Sequence, residues 1–285
     1  MSAQSILRHE GIDLVEELRE RPAGDVAKVC WLGQSGFAIR YRDDCILIDP
    51  YLSDSLTTKY ADTDTPHVRV HPRIVDPEAI AGVPVTGIVC THHHTDHLDP
   101  DTIRPILATL AASGLNAPVV APEAWRELAA ERAGIDASAI VGMDENTTIQ
   151  IGAFEIVGMA AAHETIEYDA RGRRKCLGYV FRSIAGTLFH SGDTLAYDGL
   201  ASRLRPFGVD LLLLPINGKI GNMSGRDAAK LAHTVGAKLV VPCHYDMFAF
   251  NTADPAEEFV PECERLGQPY RVLALGESVT LGAER

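Results

Sequence analysis

Thr91-His92-His93-His94-Thr95-Asp96-His97 places four histidines and one carboxylate in six consecutive positions, directly after the apolar run Gly87-Ile88-Val89-Cys90. The run reads as a buried strand, and the loop leaving it reads as a metal-binding segment. Neutral imidazoles and carboxylates together suit divalent ions of borderline hardness. A strand end also fixes such ligands more firmly than a free loop does. The spacing His-x-His-x-Asp-His lets His92 and His94 face one point while Asp96 and His97 turn toward a second, so this loop offers two pairs of ligands for two ions. His93 falls out of that alternation and is expected to face solvent or to support a neighbour. A purification tag would lie at a terminus and would contain no aspartate.

One loop cannot complete two coordination shells, and further candidates follow apolar runs elsewhere. His163 follows Phe154 to Ala162, Asp193 follows Gly186 to Gly192, and His244 follows Ala237 to Cys243. Each alone is an ordinary turn or core residue, but their recurrence in the same local setting points to one site. Asp49 ends the run Cys45-Ile46-Leu47-Ile48 and precedes Pro50. It reads equally as a strand terminator and as a carboxylate that orients a ligand histidine through its other ring nitrogen.

The order of these elements resembles the metallo-β-lactamase fold superfamily, over a span from about Val29 to Val279. The resemblance implies that His92, His94 and His163 hold one metal, that Asp96, His97 and His244 hold a second, and that Asp193 bridges them. Four further stretches are similar to the branch containing L-ascorbate-6-phosphate lactonase. They are Leu32-Gly33-Gln34-Ser35-Gly36, Phe189-His190-Ser191-Gly192-Asp193, Ile216-Asn217-Gly218-Lys219 through Gly221-Asn222-Met223-Ser224, and Pro242-Cys243-His244-Tyr245-Asp246-Met247-Phe248.

The chain has 285 residues, 46% of them hydrophobic, and no Pro/Gly/Ser-rich linker or low-complexity tract. One domain over residues 1–285 is expected, with 1–25 as a short helical extension in which Ile12, Leu14, Val15 and Leu18 sit at helical spacing. Met1 to Glu20 is charged and lacks a long apolar run, so neither a signal peptide nor a membrane span is expected, and the location is read as cytoplasmic. The six dispersed cysteines show no Cys-x-x-Cys spacing and read as buried thiols. A net charge of −13 and the absence of a long Lys/Arg run weigh against nucleic acid as partner. Bound cations would make the pocket itself positive, so a small anionic substrate stays compatible. A homo-oligomer is expected from the resemblance.

Consecutive strands are predicted at Lys28 to Leu32, Phe37 to Tyr41 and Cys45 to Ile48. Helices are predicted from Asp99-Pro100 to Leu110, from Pro122-Glu123 to Ala133, and from a Ser224 cap to Val235. Strands at Thr147 to Ile151, Phe154 to Ala161, Gly178 to Arg182, Thr187 to His190, Val209 to Leu214 and Leu239 to Val241 complete two similar halves. Periodicity alone admits a doubly wound sheet as well. The resemblance implies an α/β fold with two sheets face to face and helices outside, a four-layer αββα sandwich.

Two divalent ions, zinc or manganese with iron also accepted by these ligands, would generate a bridging hydroxide at neutral pH. The expected chemistry is therefore hydrolysis of a small molecule, with Asp96 and Asp193 among the catalytic residues and Tyr245 as a candidate proton donor. The resemblance implies a lactonase acting on a sugar-acid lactone or its phosphate. Phosphodiester or RNA cleavage and non-catalytic metal binding are the alternatives. His190 is read as a strand histidine that supports the site, and Asp246 as part of a loop packed on Phe248. For substrate contacts, Arg69 and Arg73 lie in a long polar connection and have the geometry to grip phosphate or carboxylate. Asn217, Lys219 and Asn222 lie in a Gly-rich loop where backbone amides can approach a ligand.

Overall fold

The computed structural model describes residues 11–80 and 82–282. Positions 1–10 of the expected N-terminal extension lie outside them, and within it a helix runs over Gly11–Arg19 (α1). Thirteen strands follow: β1 Ala27–Gly33, β2 Gly36–Tyr41, β3 Asp44–Ile48, β4 Val85–Val89, β5 Val119–Pro122, β6 Ile140–Met143, β7 Thr148–Ile151, β8 Phe154–Ala160, β9 Leu177–Ser183, β10 Gly186–His190, β11 Leu211–Pro215, β12 Leu239–Cys243 and β13 Ser278–Leu281. The other helices are α2 Ser55–Lys59, α3 Pro77–Ile80, α4 Pro100–Ala112, α5 Arg126–Ala133, α6 Leu200–Leu204, α7 Gly225–Val235 and α8 Phe259–Leu266.

The strands form two mixed sheets, ordered β13-β1-β2-β3-β4-β5-β6 and β12-β11-β10-β9-β8-β7. Their packing follows from the two-residue period of a strand. Val29, Trp31, Ile46 and Ile48 face the second sheet and share a core with Ile156, Tyr179, Phe181 and Phe189. Their sequence neighbours Cys30, Leu32, Cys45 and Leu47 point the other way, onto Leu14, Leu18, Ile103, Ile106 and Ala129 of the covering helices. Each fully buried large apolar side chain contributes about 1.5–3 kcal/mol. Helices α7 and α8 pack together, and α7 covers β11 and β12 on the opposite outer face. The result is the four-layer αββα sandwich.

Local signals explain the helix ends. Asp99 caps α4, its carboxylate accepting from the Asp101 amide, and Ser224 caps α7 by accepting from the Asp227 amide. The helix expected to start at Glu123 begins instead as a tight turn over Glu123–Trp125, with α5 proper starting at Arg126. Trp125 breaks the helical path at φ −115°, because its indole is tied to the Lys175 carbonyl at 2.8 Å and stacks on His93 at 4.2 Å. All six cysteines are buried free thiols. No helix of the described residues is long and apolar enough to cross a membrane.

Candidate metal centre

Strands β1, β3 and β4 run in the same direction within the first sheet, as do β8, β10 and β12 within the second. Their carboxyl ends deliver Gln34, Asp49, the 91–97 loop, His163, Asp193 and His244 to one end of the sandwich. The backbone there is held in the left-handed region at Gln34 (φ 52°), Asp49 (44°), His244 (59°) and Ile220 (48°). Such conformations cost of order 1–3 kcal/mol each for non-glycine residues and persist where the surroundings enforce them. Gly192, at φ +59°, is required for close approach, since a Cβ there would lie 2.8 Å from Thr91 Cβ and 3.0 Å from the Leu177 carbonyl.

The donors gather in three overlapping groups of three, each within 4.8 Å internally: His92, His94 and His163; Asp96, His97 and His244; and His92, His97 and Asp193, which joins the other two. In the first, His94 Nδ1 lies 3.0 Å from His92 Nε2 and 3.2 Å from His163 Nε2. Asp193 stands between the groups, with one oxygen 3.3 Å from His97 Nε2 and the other 3.2 Å from His244 Nε2 and 3.9 Å from His163 Nε2. Asp96 lies 3.7 Å from His97 Nε2 and 3.8 Å from His244 Nε2. Gln34, not singled out in the sequence, donates to Asp96 Oδ2 at 2.8 Å and sits 3.2 Å from His244 Nε2. Its only signal was the Gly33-Gln34-Ser35-Gly36 turn.

Asp49 is fully buried. It accepts from the Thr91 amide at 2.8 Å, the Thr91 hydroxyl at 2.7 Å and His97 Nδ1 at 2.7 Å. This arrangement keeps a proton on Nδ1 and directs Nε2 toward Asp96 and Asp193, so that Nε2 is the atom free to ligate once its own proton has left. His190 has both nitrogens engaged, Nε2 donating to the Ser35 carbonyl at 2.8 Å and Nδ1 accepting from the Gly192 amide at 3.1 Å. It therefore ties the loops carrying Gln34 and Asp193 together and touches neither donor group. His93 stacks on Trp125, and its carbonyl accepts from Arg132.

Burial disfavours the charged form of every group in the cluster, and their neighbours decide the balance. Burial pushes His92 and His94 below the usual imidazole range. For His97 burial is outweighed by Asp193, Asp96 and Asp49, which raise it well above that range. His244 is raised by Asp193 and Asp96 against the same burial. Asp193 is held well below the carboxylate range by His244 and His97, again against burial.

These residues fit divalent ions. A tetrahedron built on bonds of roughly 2.0–2.1 Å has edges of about 3.3 Å, and the 3.0–3.3 Å separations among the imidazole and Asp193 atoms match that edge. His97 Nε2 is buried without a well-formed hydrogen bond, its nearest carboxylate oxygen being that of Asp193 at 3.3 Å, and a bound ion would give it a partner. Gly221 packs so tightly on His163 that a Cβ would lie 2.2 Å from its Nδ1, which holds the ring in place.

His94, Asp96, His163, Asp193 and His244 line a cavity of about 330 Å³, with His92 and His97 buried behind them. Asn222 lines it, and its carboxamide nitrogen and oxygen are both buried without partners. The other expected substrate contacts lie elsewhere. Arg69 bonds Asp54 at 2.8 Å, the Ser53 carbonyl at 2.6 Å, the Tyr51 carbonyl at 3.3 Å and Met247 Sδ. Arg73 pairs with Asp76 at 3.0 Å and Asp54 at 3.6 Å. Both line a separate surface depression, because Asp54 draws the two guanidinium groups away from the cavity. Asn217 donates to Asn251 at 2.8 Å, and Lys219 to the Phe250 carbonyl at 3.1 Å; neither lines the cavity. Tyr245 is also not at the site. Its hydroxyl donates to the Leu273 carbonyl at 2.9 Å and its ring stacks on Trp31 at 4.7 Å, so it is a core residue without a proton to offer substrate. A wall of Tyr60, His67, Phe248 and Phe250 closes the cavity instead.

Over 241 residues, 85% of this chain and 93% of the relative, the sequence is 27% identical to a metal-dependent hydrolase of Pyrobaculum neutrophilum. Over 264 residues, 88% of this chain and 98% of the relative, it is 29% identical to a metal-dependent hydrolase of Methanopyrus kandleri. A metallo hydrolase from Ignicoccus hospitalis superposes with a TM-score of 0.65 at 21% identity, covering 91% of this chain and all of that one, which shows a shared fold. The family model described as the beta-lactamase superfamily domain matches residues 45–245. That match runs from the strand before Asp49 to the residue after His244, and the chain belongs to the metallo-β-lactamase superfamily.

Proposed function

We propose that this protein is a metal-dependent hydrolase of a small molecule, and more finely a lactonase. The observation that carries the reading is the set of overlapping His/Asp donor groups gathered around Asp193 beside one cavity. Divalent ions bound there supply a water nucleophile near neutral pH and polarise a carbonyl. His92, His94 and His163 would hold one ion and Asp96, His97 and His244 the other, with Asp193 shared. The chain's own contribution is order: Asp49 fixes the His97 tautomer, Gln34 fixes Asp96, His190 fixes the two flanking loops, and Gly221 fixes His163. The relatives' names support hydrolysis. The lactone reading rests on the motif resemblance around Gln34, Asn222 and His244. Arg69 and Arg73 are engaged away from the cavity and have no part in this reading.

The test is a hydrolysis screen of lactones, sugar phosphates, phosphodiesters and β-lactams, with protein loaded separately with zinc and manganese. Turnover of lactones above the other classes supports the proposal. Turnover of phosphodiesters alone removes the lactonase reading, and no turnover of any class at full metal load removes the hydrolase reading.

A further inference from the structure

Two segments far apart in sequence, the stretch through α2 to His67 and the stretch after His244, meet at the cavity and line that side with Leu56, Lys59 and Asn251 around a cluster of four rings, Tyr60, His67, Phe248 and Phe250. Tyr60 stacks on His67 with centroids 4.2 Å apart and planes 19° apart. His67 in turn meets Phe250 edge-on at 4.5 Å and Phe248 edge-on at 5.1 Å, while Phe248 and Phe250 stack at 6.1 Å and 20°. The segments are locked together by the Val70 amide donating to the Met247 carbonyl at 3.0 Å and by a bridge pairing Arg69 with Phe248. The wall is therefore built before any ligand arrives. Tyr60, His67 and Phe250 remain only partly buried and line the same cavity as His94, Asp96, His163, Asp193 and His244.

Two side-chain cations lining this cavity, Arg132 and Lys59, are placed differently. Arg132 donates to the His93 and Leu98 carbonyls, and the Lys59 ammonium sits 5.0 Å over the Tyr60 ring. Partly exposed rings beside a polar reaction centre favour a flat apolar group, because a planar ring adds offset-stacked or edge contacts to the area it buries.

We propose that the substrate is a ring ester bearing a planar aromatic group, which lies against Tyr60, His67 and Phe250 while its carbonyl reaches the metal centre, in place of the sugar acid that the sequence resemblance implied. The proposal rests on the lactonase reading for the scissile bond and on the aromatic wall for the substituent.

The experiment compares γ-phenyl-, γ-cyclohexyl- and γ-methyl-γ-butyrolactone and gluconolactone as substrates of the zinc-loaded protein, and measures phenylacetate and acetate binding by calorimetry, which requires no turnover. The phenyl lactone should exceed the methyl lactone in kcat/KM by about tenfold or more, a difference of 1.4 kcal/mol. Phenylacetate should bind more tightly than acetate by a similar factor. Phe250→Ala should erase most of both preferences, and Phe250→Leu should keep the preference for cyclohexyl over methyl while losing that for phenyl over cyclohexyl. Melting curves of both variants confirm folding. Equal binding of phenylacetate and acetate, or better turnover of gluconolactone than of the phenyl lactone, overturns the aromatic subsite and leaves the hydrolase reading intact. Tight phenylacetate binding that depends on Phe250, with no lactone opened, supports the subsite and removes the lactonase reading.

Discussion

Asp49→Asn is the sharpest perturbation of the centre, because it preserves shape while removing one negative charge and putting a donor where an acceptor stood. In the native protein Oδ1 accepts from the Thr91 amide at 2.8 Å, while Oδ2 accepts from the Thr91 hydroxyl and from His97 Nδ1, both at 2.7 Å. The Thr91 amide can only donate, so the new carboxamide must keep its oxygen there and turn its NH2 toward His97. Two donors then face each other. The conflict is relieved when His97 moves its proton to Nε2, the nitrogen directed at Asp96 and Asp193. An Nε2–H imidazole cannot ligate through that atom. Loss of such an orienting contact weakens metal affinity about 10–100-fold, or roughly 1.4–2.7 kcal/mol. The ion expected between Asp96, His97 and His244 should be lost first, since His92, His94 and His163 do not bond Asp49. Chelator competition with elemental analysis reads the affinity, and a melting curve confirms folding. Two ions held by the variant with affinity within about twofold of native would refute the orienting role.

Metal uptake should release protons at neutral pH, because the carboxylate neighbours of His97 and His244 favour protons that a bound ion must displace. Apparent affinity should therefore rise with pH until those imidazoles are neutral, and indicator-dye titration in weak buffer that detects no released proton would contradict this. Tyr245→Phe should leave kcat/KM unchanged while lowering stability by about 1–2 kcal/mol, the price of stranding the buried Leu273 carbonyl; a collapse of activity in a folded variant would return Tyr245 to the catalytic residues. Arg69→Ala should destabilise by about 1.5–3 kcal/mol through its bonds to Asp54 and the Ser53 carbonyl. It should alter KM equally for phosphorylated and unphosphorylated substrates, and a selective rise for the phosphorylated one would contradict its placement outside the cavity.

The donor groups were legible in the sequence because each donor directly follows a strand made conspicuous by its apolar run, and the parallel strands then bring their ends together. Asp49, His163, Asp193 and His244 all carry that signal. Edge elements were less visible. Strands β6 and β13 have only four residues each, and α8 contains a proline and mixed charge, so neither alternation nor helical period stands out. Gln34 was missed because a polar residue in a Gly-Ser turn is ordinary, and its contacts with Asp96 and His244 span 62 and 210 residues. The position of the candidate anion contacts was illegible for a related reason. Arg69 and Arg73 have the right chemistry for an anion, but the partner that captures them, Asp54, is identified only by the fold. The aromatic rings that replace them come from segments about 180 residues apart, and no local pattern joins them.

The most direct measurement is anomalous scattering from crystals of protein loaded to saturation with zinc, together with elemental analysis of the same preparation. Two peaks are expected, one enclosed by His92, His94 and His163 and the other by Asp96, His97 and His244, with Asp193 between them. A single peak at full load, or ions bound away from these residues, would contradict the two-metal centre on which the account stands.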